Sequence, residues 1–206
     1  MMPTSIEDRI AVSTWSLHRL LGTTYPHDLA TTAIGPRKET YGEGKETLLD
    51  LPAVLVNHGY HRMELVSFHL PSRDPVYLGE LHGQLKSEGV VLQTLLIDDG
   101  DISHPEHGAR DTAWIASWIE IANQLGAENA RIIAGKQKPT PETLDRSAKA
   151  LASLVKVLDE KRRVAVCREL TKIHESVIRG SAQEVENHFK LHADQVRGEV
   201  VIIVGS

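Results

Sequence analysis

Apolar residues in this chain fall into short runs separated by amphipathic stretches with clear start and stop signals. Residues 9–15 (RIAVSTW), 62–68 (RMELVSF), 90–97 (VVLQTLLI) and 130–135 (ARIIAG) are apolar and rich in β-branched residues, and each predicts a strand. Helical patterns lie between and beyond them. Asp74 before Pro75 is an N-cap with a first-turn proline; Leu78, Leu81 and Leu85 share one face, and Gly89 is the stop. Asp50 and Pro52 open a similar helix that ends at Gly59. Trp114, Trp118, Ile121, Ala122 and Leu125 form a stripe ended by Gly126. Thr140 and Pro141 open a further helix, with a stripe of Leu144, Ala148, Leu151, Val155 and Leu158. Strands that are apolar throughout, alternating with helices, predict an α/β fold with a parallel sheet covered by helices.

After Asp159 the rhythm changes. Residues 163–170 (RVAVCREL) and 174–180 (HESVIRG) are two strand-like runs with Thr171, Lys172 and Ile173 between them, too few for a crossover helix. Ser181 to Glu184 (SAQE) reads as a capping box opening a helix to about Leu191, and GEVVIIVGS closes the sequence as a buried strand. A chain ending on a core strand raises the question of truncation. Residues 18–45, rich in Gly, Thr and charge, form the one long irregular stretch, a loop expected to be functional or mobile.

Composition narrows the classes. Twenty-three basic against 28 acidic residues give a net charge of -5 over 206 residues, so no global field draws nucleic acid or an anionic membrane. Cys167 is the single cysteine, which excludes an internal disulfide and a cysteine-built zinc site and fits a reducing compartment. Glu7 and Asp8 stand where a signal peptide needs basic and then apolar residues, and no apolar run reaches a membrane span. A soluble, unprocessed, cytoplasmic protein is expected.

Two resemblances divide the chain. IAVSTWSLHRLLG, HGYHRMELVSFHL, LLIDDGDISHP and RDTAWIASWIEIANQLGAENARIIAG, in that order, resemble the xylose-isomerase-like sugar phosphate isomerase/epimerase family, which is built on the TIM barrel. RRVAVCRELTKIHESVIRG followed by RGEVVIIV resembles the carboxy-terminal part of the tetrapyrrole methylase family, in its branch of ribosomal RNA methyltransferases. The resemblances imply a chimera, with an isomerase-like half barrel over 1–158 and a methyltransferase-like segment over 159–206, joined near residues 155–162. The fold expected is therefore a (βα)4 half TIM barrel continued by a β-β-α-β element in one continuous, largely parallel sheet. Residues 163–169 should dock beside 130–135 as a fifth parallel strand, through the 140–158 helix. A closed barrel needs about 250 residues, more than this chain supplies. Edges left open could be shielded by a homodimer.

The first resemblance implies a site at the carboxyl ends of the strands, where His18, Glu64, His69, Asp98, Asp99 and Asp101 fall. Glu64 and His69 are the catalytic candidates, with Glu64 read as facing the barrel mouth. Asp98, His69 and Glu169 are the metal candidates, for weakly held Mn2+, Mg2+ or Zn2+. Set against this, acidic residues after a strand often cap the next helix, and DDGD at 98–101 looks like a turn. Either resemblance could claim Glu169: as the metal ligand ending a fifth strand, or as part of the CRELTK motif near a ligand-facing edge. His104 and His107 (HPEH) read as solvated, Trp114 and Trp118 as core packing, and Cys167 as a buried small hydrophobe. Lys161, Arg162, Arg163, Arg168, Lys172 and Arg179 give the tail a basic bias that strand alternation splits between two sides.

Three functions follow. The first is a hybrid in which neither parent activity is complete, any residual activity lying at the isomerase-like strand ends. The second is a divalent-metal-dependent sugar isomerase or epimerase, and the third a non-enzymatic module binding a sugar or phosphate. S-adenosylmethionine is not expected to bind, since the glycine loops that would cradle it are absent. A small sugar or sugar phosphate is the expected partner; nucleic acid and membrane are not.

Overall fold

The computed structural model describes residues 9–157, 163–168, 173, 175–192 and 200–205, and the chain divides into two compact units. Unit 1 comprises Met1–Leu96 and Trp118–Glu128; unit 2 comprises Ile97–Ser117 and Asn129–Ser206. Among the described residues, no helix is long and apolar enough to cross a membrane.

Unit 1 is built from β1 (Val12–Ser13), α1 (His18–Leu21), α2 (Leu51–Asn57), β2 (Arg62–Val66), a 3-10 turn (Ser67–His69), α3 (Pro75–Glu88) and β3 (Val91–Ile97). The order β1-β2-β3 is parallel throughout, the βα pattern of a half-barrel-like α/β fold. Met63 pairs with Leu92 but Glu64 with Thr94, so one residue of β3 is skipped and Gln93 stands opposite the step. Helix α3 follows its sequence signals closely. The Val76 N–H donates to the Asp74 carboxylate at 2.8 Å, Gly89 closes the helix in the left-handed conformation, and Leu78, Leu81 and Leu85 are all buried. Two expectations fail locally. The predicted 9–15 strand contracts to Val12–Ser13, because the chain turns at once into hydrogen-bonded turns from Ser13 onward. Asp50 precedes α2 without capping it, its carboxylate accepting instead from the Thr47 N–H and hydroxyl.

The long segment after α1 is a folded excursion. Thr24 bridges Lys38 and His27 bridges Ile34, both antiparallel, and the Tyr25 N–H donates to the Phe68 carbonyl at 2.7 Å, tying the excursion to the turn after β2. Asp28 organises its tip by accepting from the Ala30 N–H and the Thr31 hydroxyl.

Helix α4 (Gly108–Gln124) runs through both units, residues 108–117 in the second and 118–124 in the first. Unit 2 adds β4 (Asn129–Ile133), α5 (Pro141–Val157), β5 (Arg163–Arg168), β6 (Ser176–Ser181), α6 (Ala182–Leu191) and β7 (Val200–Gly205). Its strand order is β4-β7-β5-β6, with every neighbouring pair antiparallel. β5 therefore does not dock beside β4 as expected; β7 lies between them. β5 and β6 form a hairpin, and β7, antiparallel to both β4 and β5, takes the place between them. β7 (VVIIVG) carries no polar side chain, and the central place pairs both its edges. The sheet is thereby continuous across residue 158, β4 from the isomerase-like stretch pairing with β7 of the tail.

Helix α5 buries Ser147 and Leu154, while Ala148 is exposed. Leu144 and Leu151 are half-buried, and Ser147 lies against Gly135. The capping box of α6 forms as the sequence implies: the Ser181 hydroxyl accepts from the Glu184 N–H, and the Glu184 carboxylate accepts from the Ser181 N–H.

Candidate functional site

In unit 1 the carboxyl ends of β1 and β2 bring Thr14, Trp15, His18, Ser67 and His69 together. Thr14 is completely buried; its hydroxyl oxygen accepts from the Val66 N–H at 2.9 Å and stands 2.9 Å from His69 Nδ1. The buried threonine O–H needs an acceptor, and donation to Nδ1 satisfies both groups. That assignment leaves the ring proton of His69 on Nε2. Burial, and after it the charge of His18, lowers the His69 pKa to about 4, so the ring is neutral at physiological pH. His69 Nε2 and Ser67 Oγ are both buried without a hydrogen-bond partner among the described residues.

His18 holds the other tautomer. Its Nδ1 lies 2.5 Å from the Trp15 carbonyl oxygen, which can only accept, so Nδ1 carries a proton and Nε2 is the nitrogen able to take one. The indole of Trp15 lies edge-on to Phe68 at 5.1 Å, to His18 at 6.1 Å and to His69 at 6.4 Å, and His18 packs on Tyr41 at 4.2 Å. Trp15 is nevertheless 47% exposed. A half-open indole beside a neutral imidazole donor offers an apolar face and a directed hydrogen bond together, the combination that holds a carbonyl or polyhydroxyl compound. Glu64, half-buried in β2, accepts the Thr14 N–H through its backbone carbonyl, and its carboxylate makes no hydrogen bond or ion pair among the described residues. Thr14, Trp15 and Ser67 were not legible as site residues, since each sits in an apolar run that reads only as strand.

In unit 2 the loop after β3 spends its acidic groups on the protein's own donors. Asp98 pairs with Arg131 at 2.6 Å, and its carbonyl accepts from Lys136 Nζ at 2.7 Å. Asp101 is buried and accepts from the Ser103 hydroxyl (2.5 Å) and N–H (3.1 Å), the Lys136 N–H (2.9 Å) and Gln137 Nε2 (2.7 Å). Burial alone would raise its pKa, but these hydrogen bonds outweigh that and hold the carboxyl at about 2. The Asp101 N–H in turn donates to the buried Asp111 carboxylate at 2.8 Å, and the Ser103 carbonyl accepts from Arg146 Nε at 2.9 Å. Gly135 fits because a Cβ there would stand 2.6 Å from Ser103 Oγ. This is a latch fastening loop 98–103 to the turn after β4 and to α5, in line with the turn-and-cap reading of DDGD.

The sequence candidates thus lie apart along the chain: Glu64 and His69 on β2 and its turn in unit 1, Asp98 in unit 2, and Glu169 outside the described residues. Among the described residues, no three of His, Cys, Asp and Glu gather into a group able to hold a metal. His104 and His107 stack at 4.5 Å, and His104 Nδ1 accepts from the N–H groups of Glu106 and His107, so it acts as a cap. Trp114 and Trp118 are buried in the core, the latter beneath the Arg73 guanidinium at 5.1 Å. Cys167 is buried; burial raises its thiol pKa, with Arg179 opposing and Glu175 adding, so it is no activated nucleophile.

The chain is similar to known proteins of two kinds, methyltransferases and an epimerase. The chain is 35% identical over 100 residues to ribosomal RNA small subunit methyltransferase I of Mycobacterium bovis and of Mycobacterium tuberculosis. The match covers 48% of this chain and 30% of each relative, so the chain spans less than a third of their length. Among solved structures it is similar to D-psicose 3-epimerase from Clostridium cellulolyticum, with a TM-score of 0.46, 16% identity, and coverage of 53% of this chain and 42% of the epimerase. It is also similar to the methyltransferase CobJ, with a TM-score of 0.35, 13% identity, and coverage of 81% and 74%. No family model matches the chain.

Proposed function

We propose that the chain is a hybrid α/β protein whose isomerase-like part binds a small sugar or sugar phosphate at the ends of β1 and β2, and whose methyltransferase-like tail contributes sheet rather than a cofactor site. Neither parent activity is complete in this reading. One observation carries it: His69 Nε2 and Ser67 Oγ are buried and unpartnered beside a half-exposed indole. Unsatisfied buried polar groups are costly, at about 1–3 kcal/mol each, and ligand oxygens can satisfy them. His69 donates Nε2–H to a carbonyl or hydroxyl oxygen, Trp15 stacks on the C–H face of the ring, and movement of this half-exposed indole admits the ligand. Glu64, with no internal partner for its carboxylate, is the group left to move a proton if the bound sugar isomerises.

The test is a titration with ketohexoses and ketose phosphates, read by calorimetry and by the emission of the exposed tryptophan. Saturable binding that weakens about tenfold or more in His69→Gln and Trp15→Phe is expected. Because His69 is neutral down to about pH 4, binding should hold from pH 8 to pH 5.5, across the range where an ordinary histidine becomes charged. No saturation with any of these sugars, or full binding by both variants, overturns the reading. Titration with S-adenosylmethionine separates the tail's contribution: a micromolar dissociation constant would show a methyltransferase-like cofactor site where none is proposed.

A further inference from the structure

Segment 22–45 leaves α1 and returns to it, and contacts within unit 1 fix it along its whole length. Where its two ends meet, the backbones touch: a Cβ on Gly22 would overlap the Gly44 nitrogen, and one on Gly44 would overlap the Leu21 carbonyl oxygen. Both positions are left-handed, at φ +69° and +80°, so glycine is what lets the two ends approach this closely. The Lys45 N–H donates to the Leu20 carbonyl at 2.7 Å and closes the same end. Further out, the Tyr25 N–H donates to the Phe68 carbonyl, and the His27 ring packs on Trp118 at 4.8 Å. At the tip, Arg73 Nη1 donates to the Thr32 carbonyl at 3.0 Å while its guanidinium lies over Trp118 at 5.1 Å. A long excursion pinned in this way is a built arm. What it carries to the site is Tyr41.

The Tyr41 N–H donates to the Gly22 carbonyl at 2.8 Å, which fixes its backbone against the clasped end of the arm. Its ring lies 4.2 Å from that of His18, and its hydroxyl makes no hydrogen bond among the described residues, so the contact belongs to the ring. His18 in turn donates Nδ1–H to the Trp15 carbonyl at 2.5 Å. Helix α1, which bears His18, is a single turn of four residues without a side-chain cap, too short to be stable by its own hydrogen bonds. We propose that Tyr41 is a positioning residue of the sugar site: the pinned arm sets its ring on His18, His18 holds the Trp15 backbone, and the indole is thereby kept in the pose that meets a ligand. Side chains that touch a ligand need a supporting shell of this kind to lock them. Tyr41's part in binding rests on the sugar site proposed above, whereas its hold on Trp15 can be read without any ligand. Trp15 is the exposed one of the three tryptophans, Trp114 and Trp118 being buried, so it alone reports the arrangement to a quencher in solution.

The experiment is acrylamide quenching of tryptophan emission in the whole chain, followed by calorimetric titration with D-fructose and D-fructose 6-phosphate. Tyr41→Ala should raise the quenching constant about twofold, as the segment bearing Trp15 loosens. It should also weaken sugar binding about tenfold or more, the usual cost of misplacing a contact group. Gly44→Ala, which unseats the arm without altering Tyr41, should do the same. Tyr41→Phe, which restores the ring, should return both readouts to wild-type values, and Lys38→Ala, on an exposed part of the arm, should leave both unchanged. Circular dichroism and the melting temperature check that each variant is folded; a merely structural role would lower the melting temperature without changing the quenching of the native state. Unchanged quenching in Tyr41→Ala and Gly44→Ala overturns the proposal, and so does undiminished sugar affinity in variants whose Trp15 has become accessible. A wild type that binds neither sugar overturns the sugar reading and with it Tyr41's part in binding, while the quenching result still decides its hold on Trp15.

Discussion

Replacing Asp101 by Asn tests the latch most directly. The substitution keeps shape and one carbonyl oxygen but removes the charge that four donors converge upon. A carboxyl held at about 2 instead of 3.8 favours the folded state by about 2 kcal/mol. Counting bonds gives a similar figure. Four hydrogen bonds lose charge assistance at about 1 kcal/mol each, offset in part because a neutral amide is cheaper to bury than a carboxylate. The pH dependence follows from the direction of the shift. Above about pH 4 both folded and unfolded wild-type chains carry the charged carboxylate, and the stabilisation is fully present. As the pH falls from about 4 towards 2, the unfolded chain takes up its proton first and the stabilisation drains away. Asp101→Asn has no such group, so its deficit of about 2 kcal/mol at pH 7 should persist to pH 5 and close towards pH 2. Urea unfolding of both proteins at pH 7, 5, 3 and 2.5 measures this. A deficit that stays constant down to pH 2.5, or a variant as stable as wild type at pH 7, would refute the argument that a charged Asp101 holds the loop.

Other outcomes follow from the same structure. Gly135→Ala should cost about 2 kcal/mol in thermal or urea unfolding, because its Cβ would stand 2.6–2.7 Å from Ser103 Oγ and Cβ at a φ of +146°. Ser181→Ala should cost about 1 kcal/mol, read by the same unfolding assay with helicity at 222 nm, since it removes one half of the α6 capping box.

What the sequence determined by itself is local. Asp74, Pro75 and Gly89 bound α3, Ser181 and Glu184 start α6, and the apolar runs mark β2, β3 and β4, because caps, glycine stops and apolar periodicity act within one or two turns of chain. The burial of Trp114, Trp118 and Cys167 was legible for the same reason: an apolar side chain within an apolar pattern has one favourable environment. The tertiary structure alone decided that β7 and not β5 lies beside β4, since backbone hydrogen bonding is blind to side chains and an apolar run does not specify its neighbour. It likewise decided the partners of Asp101, whose donors include Lys136 and Gln137, more than thirty residues away, so that a carboxylate resembling a ligand became an interior anchor. His69 shows the same division. Its place after a strand could be read from sequence, but its neutral state, its tautomer and its unpartnered nitrogen depend on Thr14 and His18, which only the parallel pairing of β1 with β2 brings alongside.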